Sequence, residues 1–359
     1  MMEPLFREIV GLTEDSIRFR STADRPEELR ACLDLHLGYF AGAPVAVDRR
    51  EYNGDPLAIV KPSGIDRPSV ILCGHVDVVP GDDRQFEPLT DGDRLYGRGA
   101  LDMKGSLAAL AAVVKMTIKE SIPWWLFIVS DEERGGKNGA AIIAEEGLPG
   151  EFFLAAEPSR MTIATQSKGA LRLEITHHGR SAHASTPWHG ISSVEKIMEA
   201  LPKIREIVPD YSSEAWETTA SLSLIRGGTV INQVPEECTL SLDIRYIPGD
   251  DPEKLTEDFK KALPGYGIRV LDTYPTMTCR EKSPLLKSLK EAYRRGTGED
   301  PVMGRQHGAT DARFFSSRMD SLTFGPEGDG IHGPEEWLSL ESLQSFTGII
   351  LEWGRLIKN

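Results

Sequence analysis

The sequence is poor in cysteine and in positive charge, and it has no long apolar run. Its four cysteines, Cys32, Cys73, Cys238 and Cys279, are scattered through 359 residues. None falls in a paired spacing, which excludes a disulfide framework and fits reduced thiols of an intracellular protein. Lys plus Arg number 41 against 55 Asp plus Glu, a net charge of −14. Nucleic acid and anionic membrane both need a basic face, so neither is expected as a partner. An anionic substrate would be repelled at long range and would need local cationic groups. No segment is apolar enough to span a bilayer, and the opening MMEPLFREIVGL lacks a signal-peptide core, so a cytoplasmic location is expected. There is no internal repeat, low-complexity linker or Gly-rich phosphate loop. Nor is there a nucleophile elbow, since Gly179-Arg-Ser181 lacks the downstream glycine.

What is present is a globular composition, 40% apolar and 27% charged, long enough for two domains and a large core. Val70 to Cys73 is a short β-branched run between Pro68 and Gly74 and reads as a buried strand. It delivers His75 and Asp77, which share a face of an extended segment. A turn-rich loop leads to Asp102, expected to open a helix over Lys104–Lys119. Pro123–Val129 runs into Asp131-Glu132-Glu133, and Phe152–Ala155 into Glu157, with a helix expected over Asn138–Glu146. Alternating strands and helices imply an α/β fold with a largely parallel sheet flanked by helices. The amphipathic stretches Glu3–Phe19 and Pro26–Phe40 are expected to cover it, with Asp24 capping the second. Tyr52–Val60 is a weak strand.

From Lys168 the texture changes. Strands are expected at Gly169–His178, Ala220–Ile225, Cys238–Tyr246 and Ile268–Tyr274, and helices at Ser192–Val208 and Pro252–Leu263. That order suggests a two-layer α+β sandwich at 168–280, lying between segments 1–167 and 281–359. The return segment holds a helix over Pro284–Arg295, a strand over Ser321–Phe324, a Gly-rich loop with His332 and a last helix over Leu340–Ile357.

In a parallel sheet the carboxyl ends of strands lie on one edge, where open α/β sheets place ligands. His75, Asp102, Glu132, Glu133 and Glu157 therefore converge. Each alone has a plain structural reading: a hydrogen-bonding His, a helix cap, a solvated acidic turn. His332 in GPEGDGIHGPEEW is equally plain by itself. Their joint occurrence in order is what points to a metal site.

The pattern His75-x-Asp77 with Gly99-x-x-Asp102-Met-Lys-Gly105 resembles the two-zinc amidohydrolases that include acetylornithine deacetylase, succinyl-diaminopimelate desuccinylase, carboxypeptidase G and aminoacylase. The resemblance implies a zinc-peptidase-like catalytic domain with an inserted lid and dimerisation domain. It implies two zinc ions, with cobalt or manganese as substitutes: one on His75, Asp102 and Glu157, the other on Asp102, Glu133 and His332, with Asp102 bridging. Glu132 would be the general acid/base, and Asp77 would orient His75. Ser181-Ala182-His183 resembles a lid segment whose His stabilises the oxyanion, in dimeric members at the partner's site. Asn232 and Arg245 match positions that contact the substrate, an Arg fork suiting a carboxylate. Gly308 and Thr310 in HGATDARFF resemble a carboxylate-cradling loop, although Ala309 stands where a hydroxyl residue is common. His177 and His178 read as surface residues.

The function implied is zinc-dependent hydrolysis of the amide of an N-acyl amino acid, of the acetylornithine or succinyl-diaminopimelate kind, in amino-acid biosynthesis. Glu rather than Asp at position 157 leans toward deacylases and carboxypeptidases. The alternatives are a dipeptidase or carboxypeptidase of the same family acting on a short peptide, and, more remotely, a silent metal-binding scaffold. A homodimer through the lid is expected.

Overall fold

The computed structural model describes residues 2–209 and 215–358. The chain divides into two compact units, one running up to Gln166 and including Met277–Gln306 and the segment from Thr310 on, the other Ser167–Thr276 with His307–Ala309.

The first unit is built on a nine-stranded mixed sheet. Its centre is parallel: Trp124–Val129, Val70–His75, Phe152–Ala155 and Asp320–Thr323 lie side by side, with Leu72 opposite both Leu126 and Leu154. The first three are almost continuous apolar runs because both faces are covered, and Asp320–Thr323 is buried likewise although it carries Asp, Ser and Thr. Side chains alternate, so Leu72, Leu126, Phe152 and Leu154 enter one core while Ile71, Phe127 and Phe153 enter another on the opposite face. The helix Gly105–Thr117 packs on the first face. Its alanines allow close approach, and a Cβ on Gly105 would overlap Leu338. The outer strands Val45–Tyr52 and Asp55–Pro62 are antiparallel. A smaller four-stranded sheet pairs Gly328–Asp329 with Trp337–Ser339, and that with Arg94–Tyr96. It holds both ends of the loop 330–336.

Several local expectations need correction. Tyr52–Val60 is not one strand but the turn and second arm of a hairpin, because Asn53 and Gly54 take φ of 53° and 91°. That Asn-Gly pair is a hairpin signal. Asp24 does not cap the second helix, Pro26–Gly38: Arg25 holds that position without a side-chain cap, and Asp24 accepts from the Thr22 hydroxyl at 2.5 Å. The third helix begins at Gly105, one residue after the expected Lys104, and Asp102, with φ and ψ of −114° and 89°, lies in the turn before it.

The second unit is a four-stranded antiparallel sheet, Thr219–Gly227, Glu237–Tyr246, Gly169–His178 and Gly267–Tyr274 in spatial order. Leu171, Leu173, Leu240 and Leu242 face the helices Ser193–Ile207 and Pro252–Ala262 through Ile197, Ile204 and Phe259. The alternate residues carry ion pairs, Arg172–Asp243 at 3.2 Å and Arg269–Glu174 at 2.7 Å. His177 is half-buried against Ser193 Oγ at 3.0 Å rather than lying free on the surface, whereas His178 is exposed and faces Glu237.

Candidate metal centre

Parallel pairing sets His75 opposite Val129 and Cys73 opposite Ala155, so the three strands end at one edge, and the short segments beyond them carry the acids. His75 is buried, and its Nδ1 lies 2.9 Å from the backbone carbonyl of Asp77. A carbonyl only accepts, so Nδ1 carries the proton and the Nε2 lone pair is left for a ligand. Nε2 stands 3.3 Å from Asp102 Oδ1 and 3.7 Å from Glu157 Oε2. The other oxygen of Asp102 faces a second imidazole, His332 Nε2, at 3.5 Å, and that nitrogen is 3.0 Å from Glu133 Oε2. Asp102 thus sits between two imidazoles with one oxygen toward each.

Two clusters have donor atoms within 4.8 Å of one another, His75 with Glu132 and Glu157, and Asp102 with Glu133 and His332. The donor set suits two divalent cations: neutral imidazole nitrogens, carboxylate oxygens and a carboxylate placed to bridge. Charge points the same way. Burial first, then the neighbouring charges of Asp102 and Asp311, pushes the Glu157 carboxyl up to about 7. Burial likewise drives Glu132 up, reinforced by Glu157 and Asp311. Hydrogen bonds to Asp102 and Glu133 push His332 up to about 10. Burial alone would raise Asp102, but hydrogen bonds from His332 and His75 hold it below the usual range. As imidazolium each histidine offsets the carboxylate charge; bound cations would take over that role and leave each Nε2 as a neutral donor.

Asp77 orients both its neighbours. Its carbonyl holds His75, its Oδ2 accepts from the Glu133 N–H at 2.9 Å, and its Oδ1 is 3.5 Å from His75 Nδ1. The contact that fixes the imidazole therefore comes from the Asp77 backbone, with the carboxylate assigned to the acidic turn.

The remaining expected residues are placed as follows. His183 is exposed, with Nδ1 2.8 Å from Ser185 Oγ. Asn232 is exposed, and its carbonyl accepts from Ala184 N at 3.0 Å. The Arg245 guanidinium is paired with Asp243 on its own strand, Nε–Oδ1 2.6 Å. Gly308 is exposed and belongs with the second unit. Thr310 is buried in the first unit, where its hydroxyl accepts from Ala312 N at 3.3 Å and caps the turn Asp311–Phe314.

Sequence reasoning missed the acids and bases behind the ligands. Asp311 is buried, with no hydrogen-bond partner for either oxygen among the described residues, and burial with the charges of Asp131 and Asp77 pushes it up to about 7. Arg313 donates to the Gly135 carbonyl at 2.8 Å and so holds the acidic turn. Gly135-Gly136 was the signal: Gly136 has φ 66°, and a Cβ there would overlap Asp311 Oδ1. Arg98 and Glu336 were missed as well.

Residues 71–353 match the model of the family described as Peptidase family M20/M25/M40. The chain is 29% identical over 315 residues to a succinyl-diaminopimelate desuccinylase of Nitrosomonas eutropha, covering 80% of this chain and 82% of that one. It is 33% identical over 222 residues to a protein of Paracoccidioides lutzii named "Probable carboxypeptidase", covering 56% of this chain and half the length of that relative. Its fold is that of an M20 family metallo-carboxypeptidase of Sulfolobus solfataricus, with TM-score 0.80 at 18% identity over 98% of this chain and 99% of the other. With the family matched over most of its length and the carboxylate-imidazole centre in place, this chain belongs to Peptidase family M20/M25/M40 and is a metal-dependent hydrolase of amide bonds.

Proposed function

We propose that the protein hydrolyses the amide of N-acyl amino acids, with His75, Asp102 and Glu157 holding one zinc ion and Asp102, Glu133 and His332 the other. The observation that carries this reading is Asp102, with one oxygen toward each imidazole. Bound cations in this site would acidify a water and polarise the scissile carbonyl. The chain's own part is proton handling. Glu132 lies in the His75 cluster, partly buried, where desolvation favours its protonated form. A carboxylate so placed accepts the proton of the attacking water and returns it to the departing nitrogen. Asp77 and Arg313 keep that turn in place. The cores flanking the sheet fix the strand ends on which the ligands sit.

The second unit is proposed as a homodimerisation domain, in a cytoplasmic enzyme of amino-acid biosynthesis. Its edge strand Thr219–Gly227 exposes Leu224 and Ile225, an apolar face that a second copy could cover. His183, held at Nδ1, keeps Nε2 as a donor for an oxyanion. Asn232, Arg245, Gly308 and Thr310 are proposed substrate contacts; Arg245 would have to exchange its pairing with Asp243 to serve. The second reading, a dipeptidase or carboxypeptidase, is favoured by the carboxypeptidase names among the relatives.

The test is a hydrolysis panel with the zinc-loaded protein: N-acetylornithine, N-succinyl-diaminopimelate, other N-acyl amino acids and simple dipeptides, with Glu132→Ala as blank. Preference for an N-acyl amino acid is expected. Cleavage of dipeptides alone would transfer the assignment to the second reading.

A further inference from the structure

Two buried charges lie behind the ligand loops and take no part in the chemistry above. Arg98 and Glu336 are 3% and 2% exposed. Arg98 Nη1 donates to Glu336 Oε2 at 2.7 Å. The other oxygen, Oε1, accepts from the backbone N–H groups of Leu101 and Asp102, each at 3.1 Å. The second arm of Arg98, Nη2, reaches the carbonyls of Gly333 at 3.0 Å and His332 at 3.4 Å. One ion pair therefore ties the backbone at Asp102 to the backbone at His332.

These two ligands share one donor cluster, with Glu133. The other cluster differs in its support, since His75 ends a central strand and Glu157 follows one by two residues. Neither Asp102 nor His332 has such a foundation. Asp102 lies in a turn with non-helical dihedrals, and His332 holds φ 59°, a left-handed conformation unusual for a side-chain-bearing residue. A buried ion pair is in itself a weak source of stability, because desolvation offsets much of the attraction. What this pair supplies is register: a planar fork and a carboxylate, each satisfied by the other, fix two loops that are distant in sequence.

We propose that Arg98 and Glu336 are positioning residues for the second cation, holding Asp102 and His332 at the spacing that lets the chain bind two ions rather than one. The proposal rests on the two-cation reading above. Arg98 touches no ligand side chain and acts only through the backbone.

The test counts zinc per chain by mass spectrometry after dialysis. Chelator competition gives the affinity of each ion, and thermal unfolding is recorded beside it. Wild type is expected to hold two ions, and His332→Ala, the control, one. Arg98→Met is expected to lose the second ion as that control does, with second-ion affinity down about 10–100-fold and the first ion, which shares only Asp102, weakened much less. Arg98→Lys keeps the charge but lacks the fork, and should lie between. Should Arg98→Met fail to fold, Glu336→Gln keeps the size and one acceptor while removing the charge, and is expected to weaken the second ion selectively. A merely structural pair would lower the unfolding temperature without favouring one ion. Wild type and Arg98 variants alike holding two ions at equal affinity would overturn the clamp alone, as would parallel loss of both. A wild-type protein that takes up a single ion would overturn the two-cation reading, and the clamp with it.

Discussion

His36 offers a prediction that separates stability from catalysis. It is fully buried in the second helix, with Nε2 3.1 Å from Ser16 Oγ and no partner at Nδ1. Burial, and then the charge of Lys104, lower its pKa from 6.5 to about 3. The native state therefore keeps His36 neutral where the unfolded chain would protonate it. Below pH 6.5 the unfolded state binds the extra proton, so stability is present above that value and lost as pH falls toward about 3. Linkage gives a loss from this group of about 1.4 kcal/mol between roughly pH 7.5 and pH 5.5, and of about 1.4 kcal/mol for each further unit down to the native pKa. The perturbation is His36→Gln, which keeps a polar contact for Ser16 and cannot titrate. Urea unfolding followed by circular dichroism, with chelator present, should show wild type losing about 1.4 kcal/mol more than the variant over that interval. Comparing the two chains cancels every distant group common to both. Equal pH dependence would refute the assignment of a neutral buried imidazole. The result also bears on function, because an acid limb in an activity profile would then contain unfolding as well as chemistry.

Further outcomes follow from the same geometry. Glu132→Gln should lower kcat by about 10²–10⁴-fold while leaving metal content and unfolding temperature unchanged. Gly136→Ala places a Cβ against Asp311 and a side chain at φ 66°, so kcat should fall together with the unfolding temperature. Phe315→Ala removes a ring stacked on Phe153 at 4.1 Å between centroids and should destabilise the first unit by about 3–5 kcal/mol in urea titration. Stripping the protein with chelator should lower its unfolding temperature, and restored zinc should raise it again with the logarithm of the free zinc concentration, because cations would bind only the folded carboxylate cluster.

Three strands of the parallel core were legible because they are apolar runs, and those at Val70, Trp124 and Phe152 end close to where the pattern placed them; the fourth, Asp320–Thr323, is mostly polar. His75, Asp77, Glu132, Glu133 and Glu157 were legible because strand ends converge whatever the loops do, whereas Asp102 and His332, which sit in loops, were legible through the motifs around them. The Asn53-Gly54 hairpin was hidden in a weakly apolar stretch, although its turn chemistry was present. Asp102 looked like a helix cap because an Asp before an alanine-rich helix usually is one. The turn at Asp102 that precedes the helix is held by Glu336, 234 residues away. Arg98, Glu336, Asp311 and Arg313 could not be read, since a charged residue in a polar loop gives no local sign that folding will bury it. Arg245 illustrates the converse: its guanidinium matched a substrate-binding pattern, yet its contact is with Asp243, two residues earlier on the same strand.

The central claim is amide hydrolysis with Glu132 as proton carrier at a two-cation site. The most direct measurement is turnover of the preferred N-acyl amino acid by Glu132→Ala, with zinc counted in the same sample. Two ions per chain and no detectable amine release are expected. Near-normal turnover with both ions bound would contradict that claim.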